Sequence, residues 1–282
     1  MKTYILGKRS FLSKKLYEKI DGSKLYTVNE VIKKFNSTNH VKKKINVIYN
    51  HSFPLSKLSS TENLDQLINL NVNKLRKFLS LVNKNKIQID KFIFSSSSSV
   101  YGIKTENIDL IRVNQNKKIY ALTKLFSETL INSYNKKIAK NIFIGRIFNI
   151  YGNGESNSLI SKIIKYKKKN EKIILYNRKK SSRDFIHIDD IVSIYNKVLK
   201  KKGISGTYDI GTGKSYNIKS LINRYFDKKM QLNKSSIKNH EIVFSKANNK
   251  RLLSKIGKLK FVDLYKFLDN QLYNIKKNIN KK

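Results

Sequence analysis

The sequence predicts an α/β fold, a doubly wound parallel sheet followed by a smaller C-terminal lobe. Three observations carry this expectation. Short apolar runs of strand length alternate with longer stretches of helical periodicity through most of the chain. The runs are nearly continuous rather than alternating, which suits parallel strands covered on both faces. With 282 residues and 39% hydrophobic side chains, the chain is long enough for one large domain or a domain with an appended lobe, and it has the apolar material for a packed core.

Strands are expected at residues 3–6, 24–28, 45–49, 91–94 and 141–147. The clearest helix is expected over 62–82, where Leu64, Leu67, Ile68, Leu75, Phe78, Leu79 and Val82 share a face, and a second long helix over 117–139. Beyond Gly152 the pattern loosens into helix 159–169, strand 172–176, helix 190–201, strand 206–210 and helix 218–226. Residues 1–150 should therefore form the main body, with 183–212 returning to it, and residues 151–182 and 213–282 the smaller lobe. No Pro/Gly-rich linker separates them, so the crevice between the two is the default site.

The charge is the loudest feature and the least informative. Lys and Arg number 60 against 19 Asp and Glu, a net +41. Yet 52 of the cations are Lys and eight Arg, alongside 33 Asn, 37 Ile, three Ala and one Pro. Lys, Asn and Ile have A/T-rich codons, so coding bias explains the charge without a selected basic patch, and readers of nucleic acid favour Arg. No specific nucleic-acid partner is expected. The absence of Cys excludes disulfides, thiolate metal sites and cysteine nucleophiles. No run approaches the 18 or so apolar residues of a membrane span, and no signal-peptide core is present, so a cytoplasmic protein comprising the whole chain is expected, with no membrane partner and no metal.

The first strand runs into Gly7-Lys8-Arg9-Ser10-Phe11-Leu12-Ser13 and then a helix, the place where a dinucleotide fold puts its glycine-rich phosphate loop. Only one of three expected glycines is present, and a Cβ on Ser10 or Ser13 crowds the close approach that glycine permits. The serine run at 95–99 follows a strand, hence lies at the carboxyl end of the sheet. Tyr120 and Lys124 stand at i and i+4 on one helix face. An ammonium about 4 Å from the phenol would lower its pKa by roughly three units and make it a usable base.

Together with G-R-I-F-N-I-Y-G at 145–152, S-R-D-F-I-H-I-D-D at 182–190 and Y-D-I-G-T-G-K at 208–214, these pieces resemble the extended short-chain dehydrogenase/reductase family, specifically its NAD-dependent epimerase/dehydratase branch acting on nucleotide sugars. The resemblance implies a Rossmann-type dinucleotide-binding domain with a substrate-binding lobe, and NAD or NADP as cofactor. It implies that Ser97, Tyr120 and Lys124 are catalytic: Tyr120 the acid/base on a sugar hydroxyl, Ser97 its hydrogen-bond partner, Lys124 the pKa tuner and ribose ligand. Gly7, Arg9, Ser10, Phe11, Leu12 and Asn71 would join Tyr120 and Lys124 around the cofactor. Asn149, Arg183 and Lys238, with Ser97, would contact the nucleotide-sugar substrate, and His187 is read as structural. A homodimer and a place in cell-surface polysaccharide biosynthesis are compatible with this reading.

Three departures from the family pattern shape the expected activity. Dehydratases carry two acidic residues after the catalytic hydroxyl, where this chain has Ser98 and Ser99, so hydride transfer at carbon 4 without elimination is expected, as in a 4-epimerase or a 4-keto-sugar reductase. No Asp follows the second strand to grip a ribose 2′-hydroxyl, Glu30 being the nearest substitute. Arg9 sits where related reductases place a base for a 2′-phosphate, which makes NADP plausible. A degenerate, non-catalytic nucleotide-sugar-binding protein is the remaining alternative, motivated by Ser10 and Ser13. For the charge, the expected outcome is that selection from random duplexes at physiological salt yields no preferred site. A sequence preferred over bulk DNA by the roughly 10³–10⁷ typical of specific readers would overturn the coding-bias reading.

Overall fold

Six short segments align in one direction and place their last residues at one edge. In the computed structural model, which describes residues 1–37, 44–50, 62–102, 115–154, 158–176, 181–228, 231–234 and 244–279, β1 (Lys2–Leu6) is followed by α1 (Phe11–Lys19), β2 (Ser23–Tyr26), α2 (Val28–Asn36) and β3 (Ile45–Tyr49). Leu6 pairs in register with Tyr26 on one side and Tyr49 on the other. Helix α2 has no counterpart among the expected elements. Its signal is a capping box, in which the Thr27 hydroxyl accepts from the Glu30 N–H and Glu30 accepts from the Thr27 N–H. That cap also ends β2 at Tyr26.

The helix expected over 62–82 is broken. It runs as α3 (Glu62–Ile68), a π-helical turn at Asn69–Asn73 and α4 (Lys74–Lys84). The Lys74 N–H reaches back five residues to the Asn69 carbonyl, and the extra residue advances the face by about 100°. Leu67, Leu75, Phe78, Leu79 and Val82 are accordingly buried, whereas Ile68 is 38% exposed; the side chain of Leu64 lies outside the described residues. Next come β4 (Ile89–Ser97), α5 (Gln115–Tyr134) and β5 (Asn141–Ile147). Helix α5 stops short of the expected residue 139, giving way to a single 3₁₀ turn whose first residue, Asn135, has φ +36°.

The remaining elements are β6 (Asn149–Tyr151), α6 (Leu159–Lys168), β7 (Ile173–Tyr176), β8 (Ser182–Arg183), β9 (Phe185–His187), α7 (Ile188–Lys200), β10 (Gly206–Ile210), β11 (Tyr216–Asn217), α8 (Ile218–Tyr225), β12 (Gln231–Lys234), α9 (Lys250–Ile256) and α10 (Leu264–Ile279). The main sheet is parallel throughout, in the order β2-β1-β3-β4-β5-β10. Residues from α2, α4 and α5 pack on one face around Tyr49, Phe92 and Phe94. Those from α1, α7 and α9 pack on the other, around Ile5, Ile48 and Ile93. A third core, built from α6, α8, α10 and the short strand pairs, contains Tyr151, Ile163, Leu221 and Leu268.

One carboxylate ties this third core to the sheet. Fully buried Asp184, between β8 and β9, accepts from the Thr212 N–H and hydroxyl, the Gly213 N–H and the Ala247 N–H at 2.7–3.0 Å. Burial pushes its pKa up, with those donors pulling the other way. Gly211 is required beside it, because a Cβ there would stand 2.5 Å from Ala247 Cβ and 3.0 Å from Asp184 Oδ2.

Lys91 on β4 shows the same economy at the opposite end of the sheet. Its buried ammonium donates to the carbonyls of Val198, Leu199 and Lys201, closing the C-terminus of α7. Lys91→Ala should lower stability in urea denaturation by roughly 2–3 kcal/mol, the scale of a charged hydrogen bond lost with its acceptors left buried. An unchanged midpoint would mean that water already serves those carbonyls.

Candidate active site

The sheet order reverses between β1 and β3, the place where a doubly wound sheet forms a crevice at the carboxyl ends of its strands. Gly7 occupies it at φ +115°, and an added Cβ would lie 2.4 Å from the Asn50 carbonyl oxygen, so only glycine fits. The N–H groups of Gly7 and Lys8 donate to the Tyr26 carbonyl, and that of Ser10 to the Gly7 carbonyl. Ser10 caps α1, whose first N–H groups, at Phe11 and Leu12, lie in the turn that has no intrahelical acceptors and are candidates to hold an anion. The Leu12 side chain is buried against the sheet, and the Phe11 ring covers Gly154, where a Cβ would come within 2.8 Å of it. Arg9 and Lys8 are exposed at the loop. Glu30, expected as a ribose ligand, is instead occupied, with one carboxylate oxygen on the Thr27 N–H and the other 3.8 Å from Lys8 Nζ.

Ser97, Tyr120 and Lys124 are brought together where β4 ends against α5. The Ser97 hydroxyl donates to Ser99 Oγ at 2.9 Å and accepts from the Ser99 N–H. Tyr120 is buried, and burial pushes its phenol up to about 12, with Ser97 opposing as a hydrogen-bond partner. Lys124, 2% exposed, donates to the Ser95 carbonyl at 3.1 Å and lies 5.9 Å from the centroid of the Tyr120 ring. Burial pulls its ammonium down to about 8, against the opposing pull of Glu128. The expected depression of the Tyr120 pKa by Lys124 is therefore not found, since burial dominates. Desolvation disfavours the charged form of both groups, and the ammonium is aimed at a carbonyl rather than at the phenol.

Asn71 approaches the same place from the π-helical turn. Its carbonyl accepts from the Ser127 hydroxyl at 3.0 Å and its Nδ2 donates to Thr123 Oγ1 at 3.3 Å, which fixes the turn against α5 one residue from Lys124. Its Oδ1 is buried with no partner among the described residues. A buried acceptor left alone costs about 1–3 kcal/mol, so an incoming donor is the natural complement. This orphan, the Gly7 cradle and the start of α1 fit a dinucleotide laid from the loop toward Tyr120.

Sequence reasoning missed the support beneath Ser97, Tyr120 and Lys124. Arg146 makes a two-pronged ion pair with Glu128 at 2.7–3.3 Å, Ser96 donates to the same carboxylate, and the guanidinium lies 4.8 Å from the Tyr101 ring centroid. The Tyr101 hydroxyl donates to Asp209 at 2.6 Å. The chain of contacts pins the turn at 98–101 between β4, α5 and β10. Its one visible signal was the acid four residues beyond Lys124.

The expected substrate contacts are more scattered. Asn149 donates through its N–H and Nδ2 to the Asp184 carbonyl, at 3.2 and 2.7 Å. Arg183 is half-buried in the β8–β11 pair with Nη1 on the Ser182 carbonyl. Lys238 lies outside the described residues. His187 caps α7 through Nδ1, stacks edge-on to Tyr151 and is held toward neutrality by burial. Among the described residues no cluster of His, Asp or Glu could hold a metal, and no helix is long and apolar enough to cross a membrane.

Comparison with known proteins identifies the fold and the family. The fold superposes on the UDP-glucuronic acid 4-epimerase from Bacillus cereus, solved with UDP-glucuronic acid and NAD, with TM-score 0.77 over 98% of this chain and 99% of that one, at 19% identity. The chain is 32% identical to dTDP-D-glucose 4,6-dehydratase of Dictyostelium discoideum over 138 residues, 44% of this chain and 32% of that protein. It is 29% identical to CDP-abequose synthase of Salmonella typhimurium over 204 residues, 68% of this chain and 64% of that protein. These two sequence matches each span less than two thirds of the relative's own length. The model of the NAD dependent epimerase/dehydratase family matches residues 17–211, beginning just past the loop that departs from the glycine pattern. More than half of the sequence lies within that match, and the chain belongs to the NAD dependent epimerase/dehydratase family.

Proposed function

We propose that this chain transfers hydride at carbon 4 of a nucleotide-activated sugar, as a 4-epimerase. The observation that carries the reading is the convergence of Ser97, Tyr120 and Lys124 beside Asn71 Oδ1, which has no partner among the described residues, at the carboxyl edge of the sheet. The dinucleotide, when bound, supplies the site that accepts the hydride and returns it. Tyr120 takes the proton of the sugar's 4-hydroxyl and gives it back after the keto sugar turns over, so no net oxidation occurs. Ser97 and the Lys124 ammonium stabilise the phenolate that takes the proton and is restored once the proton has been returned, and Lys124 is the group available to a ribose hydroxyl. The third core supplies the substrate lobe through Asn149 and Arg183. Ser98 and Ser99 offer no carboxyl group for elimination, which favours this reaction over dehydration. The proposed substrate class and the lack of Cys suit the cytoplasm.

A reductase reading is favoured by two observations. Tyr120, with its pKa pushed up to about 12, holds its proton at neutral pH and is poised to donate it to a 4-keto sugar. Glu30 is also committed to the Thr27 cap, while Lys8 and Arg9 stand exposed where a 2′-phosphate would gain charge-assisted hydrogen bonds. Denaturing the purified protein discriminates the readings: released NAD supports the epimerase, and an empty pocket the reductase or a degenerate binding protein. Titrating the ligand-free protein with NADH and NADPH adds the second arm. Tighter NADPH binding that Arg9→Ala abolishes supports the reductase, whereas a preference for NADH untouched by Arg9→Ala removes that role from Arg9.

Tyr120→Phe should melt like the parent chain and lose at least about two orders of magnitude in turnover, the worth of a positioned acid/base. Near-parental turnover on the true substrate would exclude Tyr120 from the chemistry.

A further inference from the structure

The two serines that replace loop glycines are held by a single side chain. Asn50, 5% exposed just past β3, donates through Nδ2 to Ser10 Oγ at 2.9 Å and to Ser13 Oγ at 2.8 Å. A primary amide nitrogen carries two hydrogens, so both are spent here, one on each serine. Ser10 Oγ also faces the Ser13 N–H at 3.5 Å. A hydroxyl has two lone pairs and one proton. With both lone pairs of Ser10 turned toward Asn50 and Ser13, its proton is left to point away from both. Ser10 is half-exposed at the first turn of α1, where the helix dipole favours an anion.

We propose that Asn50 is a positioning residue that aims the Ser10 hydroxyl as a hydrogen-bond donor to the pyrophosphate of the dinucleotide. This rests on the dinucleotide-dependent reading above. In a loop of three glycines the backbone itself comes close to the phosphates. Here the Ser10 side chain occupies that space, and its O–H takes over the contact that the backbone can no longer make. Ser13, buried under the loop, serves as the second anchor that keeps the Asn50 amide in one orientation.

The test uses the full-length chain and the fluorescence of NADH or NADPH, whichever binds more tightly. Ser10→Ala should raise the dissociation constant roughly ten- to hundredfold, the worth of one hydrogen bond to a charged group. Asn50→Ala should do the same, and the double variant should be no weaker than either single, because Asn50 acts through Ser10. Thermal melting in the absence of ligand separates this from misfolding. If Asn50→Ala does not fold, Ser10→Ala alone decides the matter. Ser10→Ala binding as tightly as the parent, or losses that multiply in the double variant, would overturn this inference alone. A folded parent chain that binds neither dinucleotide would overturn both the inference and the reading beneath it.

Discussion

The site depends on one constraint, the parallel register of the central sheet. Six strands that run the same way must finish at the same edge, and in-register pairing of Leu6 with Tyr26 and Tyr49, and of Ser97 with Ile147, brings their last residues level. The residues that follow, Gly7, Asn50 and Ser98, have left the ladder but cannot leave the edge. Because the strand order reverses between β1 and β3, their connecting segments diverge beside the start of α1. Residues far apart in sequence therefore become neighbours before any side chain is considered.

Desolvation sets the chemistry of the residues gathered there. Both members of the Tyr120–Lys124 pair are buried, so each is pushed toward its neutral form. A pair of groups whose environment draws the two pKa values apart from their usual ones is poised to respond to any ligand that adds hydrogen bonds or charge. The π-helical turn at Asn69–Asn73, closed by the Lys74 N–H on the Asn69 carbonyl, adds to the same wall an acceptor, Asn71 Oδ1, that has no partner among the described residues.

Polar side chains that never reach the crevice hold it in shape. Asp184 satisfies donors from two loops around the end of β10, and Glu128 with Arg146 anchors the turn that carries Ser97 and Ser99. In a low-dielectric interior such groups are costly when unpaired and rigid when fully paired, so each network fixes one arrangement of its segments. Asn50 does the same for the loop after β1, joining two serines 37 and 40 residues away.

The strand-helix alternation, the continuous apolar runs, the glycine at position 7 and the i, i+4 spacing of Tyr120 and Lys124 were all legible in the chain, because each is a local pattern with a local cause. The family was legible for the same reason, since its motifs are short and keep their order. Tertiary structure decided what local patterns leave open. Glu30 reads equally well as a ribose ligand or a helix cap until Thr27 is seen to occupy its carboxylate. The face of residues 62–82 looked unbroken, since hydrophobic periodicity cannot register one residue inserted by a π-helical turn. The phenol of Tyr120 should fall in pKa by spacing alone, yet it rises, because spacing reports proximity and only the fold sets burial.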